Sequence, residues 1–371
     1  MVLAEGLELP TRCLQNSRST TELSQHKILY PFDSIRKGQI NRAFIPCQSL
    51  FEHLAYFFRG QGLKLTLTLQ AMDQDFKAGM VALIGRPNVG KSTLLNALLG
   101  QKIAITSHKP QTTRNRILGV LSEPGFQAVL LDTPGIHAPK NELHRRIVGY
   151  AHQSIEEADL VMYLAEPLNL ARGISPEDKA ILERLAGLEE RVFLVLNKVD
   201  EHEPETVLKS LAEFNQAYHF KESFPVSALK KWGLEAILGL FGRVLPVSEP
   251  LFDPEEVTDQ PERVLAAEFV REQLHRQLHQ EIPYGVAVVV ERFKEEKDRV
   301  KIWAVIHTEK ESHKKIIIGK GGLMLKQIGT GARKQIENLL GTKVYLDLHV
   351  KVSQGWVEDP TRLTQFGYLD H

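Results

Sequence analysis

Cysteine is scarce in this chain: only Cys13 and Cys47 occur among 371 residues, and none follows Cys47. That scarcity excludes a disulfide framework and a cysteine-based zinc site, and it fits a reducing compartment. Net charge is missing too. The 46 Lys and Arg balance 46 Asp and Glu, so any basic surface for a polyanion has to be local. No apolar run reaches the roughly 18–20 residues that span a bilayer. The N-terminus carries no basic segment followed by an apolar core, which argues against a secretory signal. The length allows two or three domains with sizeable cores.

What is present starts with Gly85-Arg86-Pro87-Asn88-Val89-Gly90-Lys91-Ser92, a glycine, four residues, then Gly-Lys-Ser. The apolar run Met80–Ile84 before it reads as a buried strand, and Ser92–Leu99 after it as a helix closed by Gly100. Backbone N–H groups and the positive helix end in such a loop wrap a polyphosphate. Lys91 is placed to reach its β/γ oxygens, and the Ser92 hydroxyl to ligate Mg²⁺.

From Met80 to about Leu245 strands and helices alternate, with further apolar runs at Ala128–Leu131, Leu160–Leu164, Val192–Leu196 and Phe224–Val226. Repeated βα units predict a mostly parallel sheet whose ligands sit beyond the strands' carboxyl ends. The remaining motifs fall at those ends. Asp132-Thr133-Pro134-Gly135 offers a carboxylate for Mg²⁺ through water and a Gly135 N–H for a γ-phosphate. In Asn197-Lys198-Val199-Asp200, the Asp200 carboxylate only accepts, matching the two donors on the guanine N1–H and 2-amino edge. Asn197 is expected to tie this loop to the phosphate loop, and the Lys198 stem to cover the base. Ser227 and Ala228 can offer backbone N–H groups to guanine O6. A threonine in Pro110-Gln-Thr-Thr-Arg-Asn115 can complete the Mg²⁺ shell while a γ-phosphate is present and release it afterwards, an order–disorder switch.

The segment Pro246–Pro261, with prolines at 246, 250, 254 and 261, reads as an extended linker. Pro261 opens a helix with apolar Leu265, Ala266, Phe269, Val270, Leu274 and Leu278. His275 and His279 lie one turn apart on it; without a third ligand they read as a solvated flank rather than a metal pair. Strands at Val286–Phe293 and Val300–His307 follow. Then come Ser312–Ile318, the loop Gly319-Lys320-Gly321-Gly322, a helix Leu323–Leu340 and a strand Val344–Val352. This is the element order of a type II KH module, whose Gly-x-x-Gly loop clamps about four nucleotides. Lys314, Lys315, Lys320 and Lys326 supply the local positive field there.

Together these motifs resemble the Era-type GTPases, from about Gly79 to the C-terminus. The resemblance implies a P-loop GTPase domain at 77–245, a linker at 246–261, a type II KH domain at 262–357 and a tail at 358–371. It implies GTP and GDP as ligands with Mg²⁺, and Thr113 as the threonine that ligates it. In related GTPases the asparagine matching Asn88 helps bind K⁺, which carries K⁺ over to Asn88 as an expectation. Lys91, Thr113, Gly135 and Asn88 form the expected catalytic set. Ile136 stands where Ras-like enzymes carry a water-orienting glutamine, so slow intrinsic turnover is expected; His137 reads as a switch-loop surface residue rather than a base. The resemblance also implies binding near the 3′ end of small-subunit (16S) ribosomal RNA and a role in 30S subunit assembly. It further implies a monomer in the cytoplasm with peripheral association at the inner face of the cell membrane. A membrane-associated signalling GTPase that uses the KH-like second domain as a protein adaptor stands as the alternative.

Residues before about Gln70 are polar and aperiodic in places, as at Leu14–Thr21, and amphipathic at Phe51–Phe58. Three readings compete: a targeting peptide, disfavoured by Glu5, Glu8, Glu22, Asp33 and Glu52; a docking appendage; or a start-site artefact with translation from Met72. The last is favoured.

Overall fold

The computed structural model describes residues 76–107, 109, 112–135 and 141–368. The N-terminal readings, and those on Ile136 and His137, lie outside these residues.

The first half runs β1 (Lys77–Gly85), α1 (Lys91–Leu99), β2 (Ile117–Glu123), β3 (Phe126–Asp132), α2 (Glu142–Glu157), β4 (Leu160–Ala165), α3 (Pro176–Arg184), β5 (Val192–Leu196), α4 (Pro204–Ala217), β6 (Ser223–Pro225) and α5 (Leu234–Val244). The sheet order is β2-β3-β1-β4-β5-β6, parallel except for β2 against β3. Because strand side chains alternate, β1 sends Val81 and Leu83 to the face covered by α1 and α5, and Ala82 and Ile84 to the face covered by α2, α3 and α4. Large buried side chains such as Phe214 and Phe241 each contribute roughly 1.5–3 kcal/mol through burial. Helix starts follow local chemistry: Asn141 accepts from His144 N (2.8 Å), and Ser175 accepts from Asp178 N (3.1 Å) with Pro176 at the first turn.

The second half comprises α6 (Glu262–Gln277), β7 (Val286–Glu296), β8 (Arg299–Thr308), α7 (Glu311–Ile318), α8 (Leu323–Leu340), β9 (Lys343–Val352) and α9 (Pro360–Gln365). Its sheet has the order β7-β8-β9, antiparallel then parallel, and α6 and α8 pack on one face through Val270, Leu274, Ile328 and Ala332. The architecture is therefore an α/β unit followed by an α+β unit.

Three features depart from the sequence reading. Strand β2 was not anticipated. The segment 246–261 is extended but strapped down: Val120 N donates to Val257 O (2.8 Å), Thr258 Oγ1 to Leu118 O (2.6 Å), and the Gln127 side chain bonds Leu251 and Phe252. It thereby covers the open edge of β2. His275 is a correction: it is fully buried, not solvated, because the side of α6 opposite the apolar stripe packs against the loop before β2.

Candidate active site and nucleic-acid interface

The phosphate loop joins β1 to α1, and its shape is set by close approaches. Gly90 has φ +99°, and a Cβ there would lie 2.2 Å from Asn197 Nδ2. A Cβ on Gly135 would lie 2.6 Å from Pro87 N, so the end of the Asp132–Gly135 turn rests against the loop. Arg86 Nε sits 2.8 Å from Asp178 Oδ2, an ion pair without hydrogen-bond alignment. The buried Asp178 also accepts from Tyr163 Oη (2.6 Å) and Ser175 Oγ (2.8 Å). This anchor of the loop on α3 was missed from sequence, since nothing local links Arg86 to Asp178.

Lys91 and Asp132 are both buried and both resist their charge. Burial lowers the Lys91 ammonium to about 8, offset in part by attraction to Asp132. Lys91 Nζ donates to Gly85 O (2.9 Å) and Arg86 O (2.8 Å). Burial raises the Asp132 carboxyl to about 6, opposed by the Ser92 hydrogen bond and by Lys91. Ser92 Oγ donates to Asp132 Oδ2 (2.6 Å) and lies 2.8 Å from Thr113 Oγ1, which lies 3.3 Å from the same carboxylate oxygen. Asp132 Oδ1 is buried with no hydrogen-bond partner. A carboxylate and two hydroxyls converging on one point make a hard oxygen donor set that fits Mg²⁺. A divalent cation would satisfy Asp132 and a polyphosphate would satisfy Lys91.

At the other end of the pocket, Asn197 Nδ2 donates to Val89 O (2.8 Å) and Ala228 N donates to Asn197 Oδ1 (2.9 Å). One side chain thus links the phosphate loop, the β5 end and the β6 end. Lys198 adopts φ +63° and pairs with Glu166, which extends its stem across the β4 end. Asp200 follows in the single 3₁₀ turn Val199–Glu201, held by Val199 N to Val226 O (3.2 Å). Ser227 is buried and its Oγ accepts from Lys230 N (3.1 Å).

In the second unit Gly319, Gly321 and Gly322 all have positive φ, and they set the kink between α7 and α8. Lys315, Lys320 and Lys326 are exposed around it, and Lys314 is half-buried. A groove of about 400 Å³ lies between α8 and β9, lined by Gly322, Leu325, Lys326, Arg333, Leu346 and Leu348. An apolar floor with a basic rim and a glycine loop at its mouth can hold splayed bases with their backbone against the loop.

A family model described as "50S ribosome-binding GTPase" matches residues 80–198, and a "KH domain" model matches 281–357. The chain is 48% identical over 301 residues to the GTPase Era of Geotalea uraniireducens, covering 80% of this chain and 99% of that protein. It belongs to the Era family of GTPases. The Era of Lactobacillus helveticus is 44% identical, covering 80% of this chain and 97% of the relative. Two Era crystal structures superpose with TM-scores of 0.75 at 40% identity, each covering 79% of this chain and 99% of the other. One is a tyrosine-to-alanine variant of Aquifex aeolicus Era bound to GDP·AlF4⁻; the other is Era with MgGDPNP and nucleotides 1506–1542 of 16S ribosomal RNA.

In this Era-family chain the loop carrying Thr113 is also embedded in the second unit. Arg114 is fully buried and donates to Val286 O (2.6 Å), Tyr284 O (2.7 Å), Pro283 O (3.2 Å) and Tyr368 Oη (3.3 Å). Arg271 of α6 donates to Thr112 O, and Lys109 donates to the His275 and Leu278 carbonyls. Buried Glu272 accepts from Lys102 (2.6 and 2.8 Å), Thr106 N (3.0 Å), Arg276 (2.9 Å) and Gln335 (2.6 Å). Burial alone would raise its carboxyl; the Lys102 hydrogen bond and charge outweigh this and hold it below the ordinary range. Tyr368 also accepts, through its main-chain carbonyl, from Arg146 of α2 (2.5 Å). Both segments that follow the Mg²⁺-type donors therefore end on the second unit. No helix among the described residues is long and apolar enough to cross a membrane.

Proposed function

We propose that this chain is a GTP-hydrolysing switch that binds 16S ribosomal RNA through its KH unit and acts in assembly of the 30S subunit. One observation carries the coupling. Thr113 lies on the Ser92–Asp132 cluster while its neighbours Thr112 and Arg114 are bonded into the KH unit, within a single tripeptide. The RNA assignment draws on the Era relative crystallised with 16S nucleotides 1506–1542.

In this reading Gly85–Ser92 and Gly135 hold the phosphates, Ser92, Thr113 and Asp132 hold Mg²⁺, and Asn197–Asp200 with Ser227 and Ala228 read guanine. The GTPase unit runs from 77 to 245, the strap from 246 to 261 and the KH unit from 262 to 357. The protein works in the cytoplasm, with peripheral contact at the inner face of the membrane as a further part of the proposal. Lys91 neutralises developing charge at the γ-phosphate, and Thr113 releases its cation when that phosphate leaves. Asn88 is assigned a K⁺ beside the phosphates. Hydrolysis is then severalfold faster in KCl than in NaCl, and equal rates would remove this assignment.

The test of RNA binding is Gly321→Asp. A Cβ at Gly321 meets nothing within 4 Å, and aspartate tolerates its φ of +60°, so the fold survives while a carboxylate enters the phosphate path. RNA affinity is expected to fall at least about tenfold with GTP hydrolysis unchanged. Unchanged RNA affinity would favour the protein-adaptor reading instead.

A further inference from the structure

The outer face of the β7-β8-β9 sheet, opposite α6 and α8, carries one planar side chain from each strand. Arg292 of β7 lies over the Trp303 ring of β8, 4.9 Å from its centroid. Trp303 meets Tyr345 of β9 edge-on at 6.2 Å. Tyr345 is 49% exposed. This arrangement depends on a β-bulge in β7: register runs Val290↔Ala304, then Arg292↔Trp303, skipping Glu291. In an unbulged register Glu291 would face Trp303, and a carboxylate would replace the guanidinium at the centre of the face.

The charges around the row are not evenly matched. Glu296 on this face pairs with Lys294 (3.1 Å) and Lys301 (2.9 Å), and Asp347, the register partner of Trp303 on β9, lies 3.4 Å from the His349 imidazole. Among the described residues Arg292 has no carboxylate partner, so the face keeps a positive centre beside exposed aromatic surface. That combination suits stacked bases flanked by phosphates. A protein partner of ordinary acidic character would meet the positive centre but leave the aromatic row without stacking partners.

Strand β9 connects this face to the groove. It is an edge strand, and its alternation sends Leu346 and Leu348 into the groove while Tyr345 points to the outer face. A polynucleotide leaving the groove over that edge reaches Tyr345 within a few nucleotides, since Tyr345 and groove-lining Leu346 are adjacent residues of the same edge strand. We propose that the Arg292–Trp303–Tyr345 row is a second single-stranded RNA site, stacking bases that flank the segment held at the Gly-x-x-Gly loop. This rests on the RNA-binding reading above.

The experiment uses the full chain and two synthetic RNAs from the 3′ region of 16S RNA. One is about five nucleotides long and fills the groove; the other extends it by about six nucleotides on each side. The parent is expected to bind the long RNA at least tenfold more tightly, and Trp303→Leu with Tyr345→Leu to erase that gain while leaving the short RNA unaffected. Arg292→Glu, exposed and outside the core, gives the same pattern without removing apolar area. Long-RNA affinity unchanged in both variants would overturn the second site, as would capture of this face by another copy of the chain. If the parent binds neither RNA, the RNA-binding reading itself fails. Loss of short-RNA binding in Arg292→Glu would place the row inside the first site and end its separate role.

Discussion

The Asp200→Asn variant is expected to lose at least a hundredfold in GTP affinity and to gain affinity for xanthosine triphosphate. The Asp200 carboxylate can accept from both guanine N1–H and the 2-amino group, two charge-assisted bonds that together amount to roughly 3–6 kcal/mol. Asparagine keeps one acceptor and turns an N–H donor toward the 2-amino group, which has no lone pair to offer it. Xanthine carries a carbonyl at that position and accepts. The substitution is nearly isosteric, and the turn stays held by the main-chain bond from Val199 to Val226, so the fold is retained. Titration with GTP, XTP and ATP reads the change directly. A parent that binds GTP and ATP equally, or a variant that keeps its GTP affinity, would dismantle the base assignment.

Asp200 is legible in the sequence because of its position in the fold. Strands β1, β3, β5 and β6 are parallel, so each motif that follows one of them arrives at the same edge. The fold supplies the convergence, and the motif supplies the chemistry. Asn197 illustrates it: its two side-chain bonds span three strand ends, yet each partner follows an apolar run visible in the sequence. Strand β2 was hidden because Gly119 interrupts it and because it pairs antiparallel, outside the βα repeat.

The contacts between the two units were not legible for a different reason. An amphipathic reading of α6 finds one apolar stripe, yet every residue from Arg271 to His275 is buried. Arg271, Glu272 and His275 sit under Lys102, Thr106, Lys109 and Thr112 rather than in water. Besides Glu268 and Arg276 one turn away on the helix, the partners of Arg271 and Glu272 include Lys102, Thr106 and the Thr112 carbonyl, more than a hundred residues away with no periodicity to announce them. The burial also holds His275 neutral, pushed down to about 2 by desolvation and then by Arg271, Arg114 and Lys109. A long helix whose polar residues alternate in sign, placed after a docked linker, is the available hint that both its faces are covered.

Arg114→Ala is expected to uncouple RNA binding from nucleotide state. The guanidinium is fully buried and its two Nη groups donate to four acceptors, three of them backbone carbonyls in the stretch Pro283–Val286 that leads into β7. Alanine leaves those buried neutral carbonyls without their donor, at about 1–3 kcal/mol for each that finds no other partner. Arg114→Lys keeps the charge but cannot spread a planar fork over four acceptors, so it falls between. The Ser92–Asp132 cluster touches Arg114 only through its neighbour Thr113, so GTP affinity should move by no more than a few-fold. In the parent, RNA affinity is expected to differ between GTP and GDP, because Thr113 sits on a segment fastened to the KH unit. In Arg114→Ala the two affinities converge, while the isolated effect of Gly321→Asp on RNA remains. Measuring RNA affinity in each nucleotide, beside a thermal melt, separates loss of coupling from loss of fold. A variant that melts near the parent yet keeps the parental GTP-to-GDP ratio would show that the signal travels by another route, of which the Arg146–Tyr368 contact from α2 is the next to test.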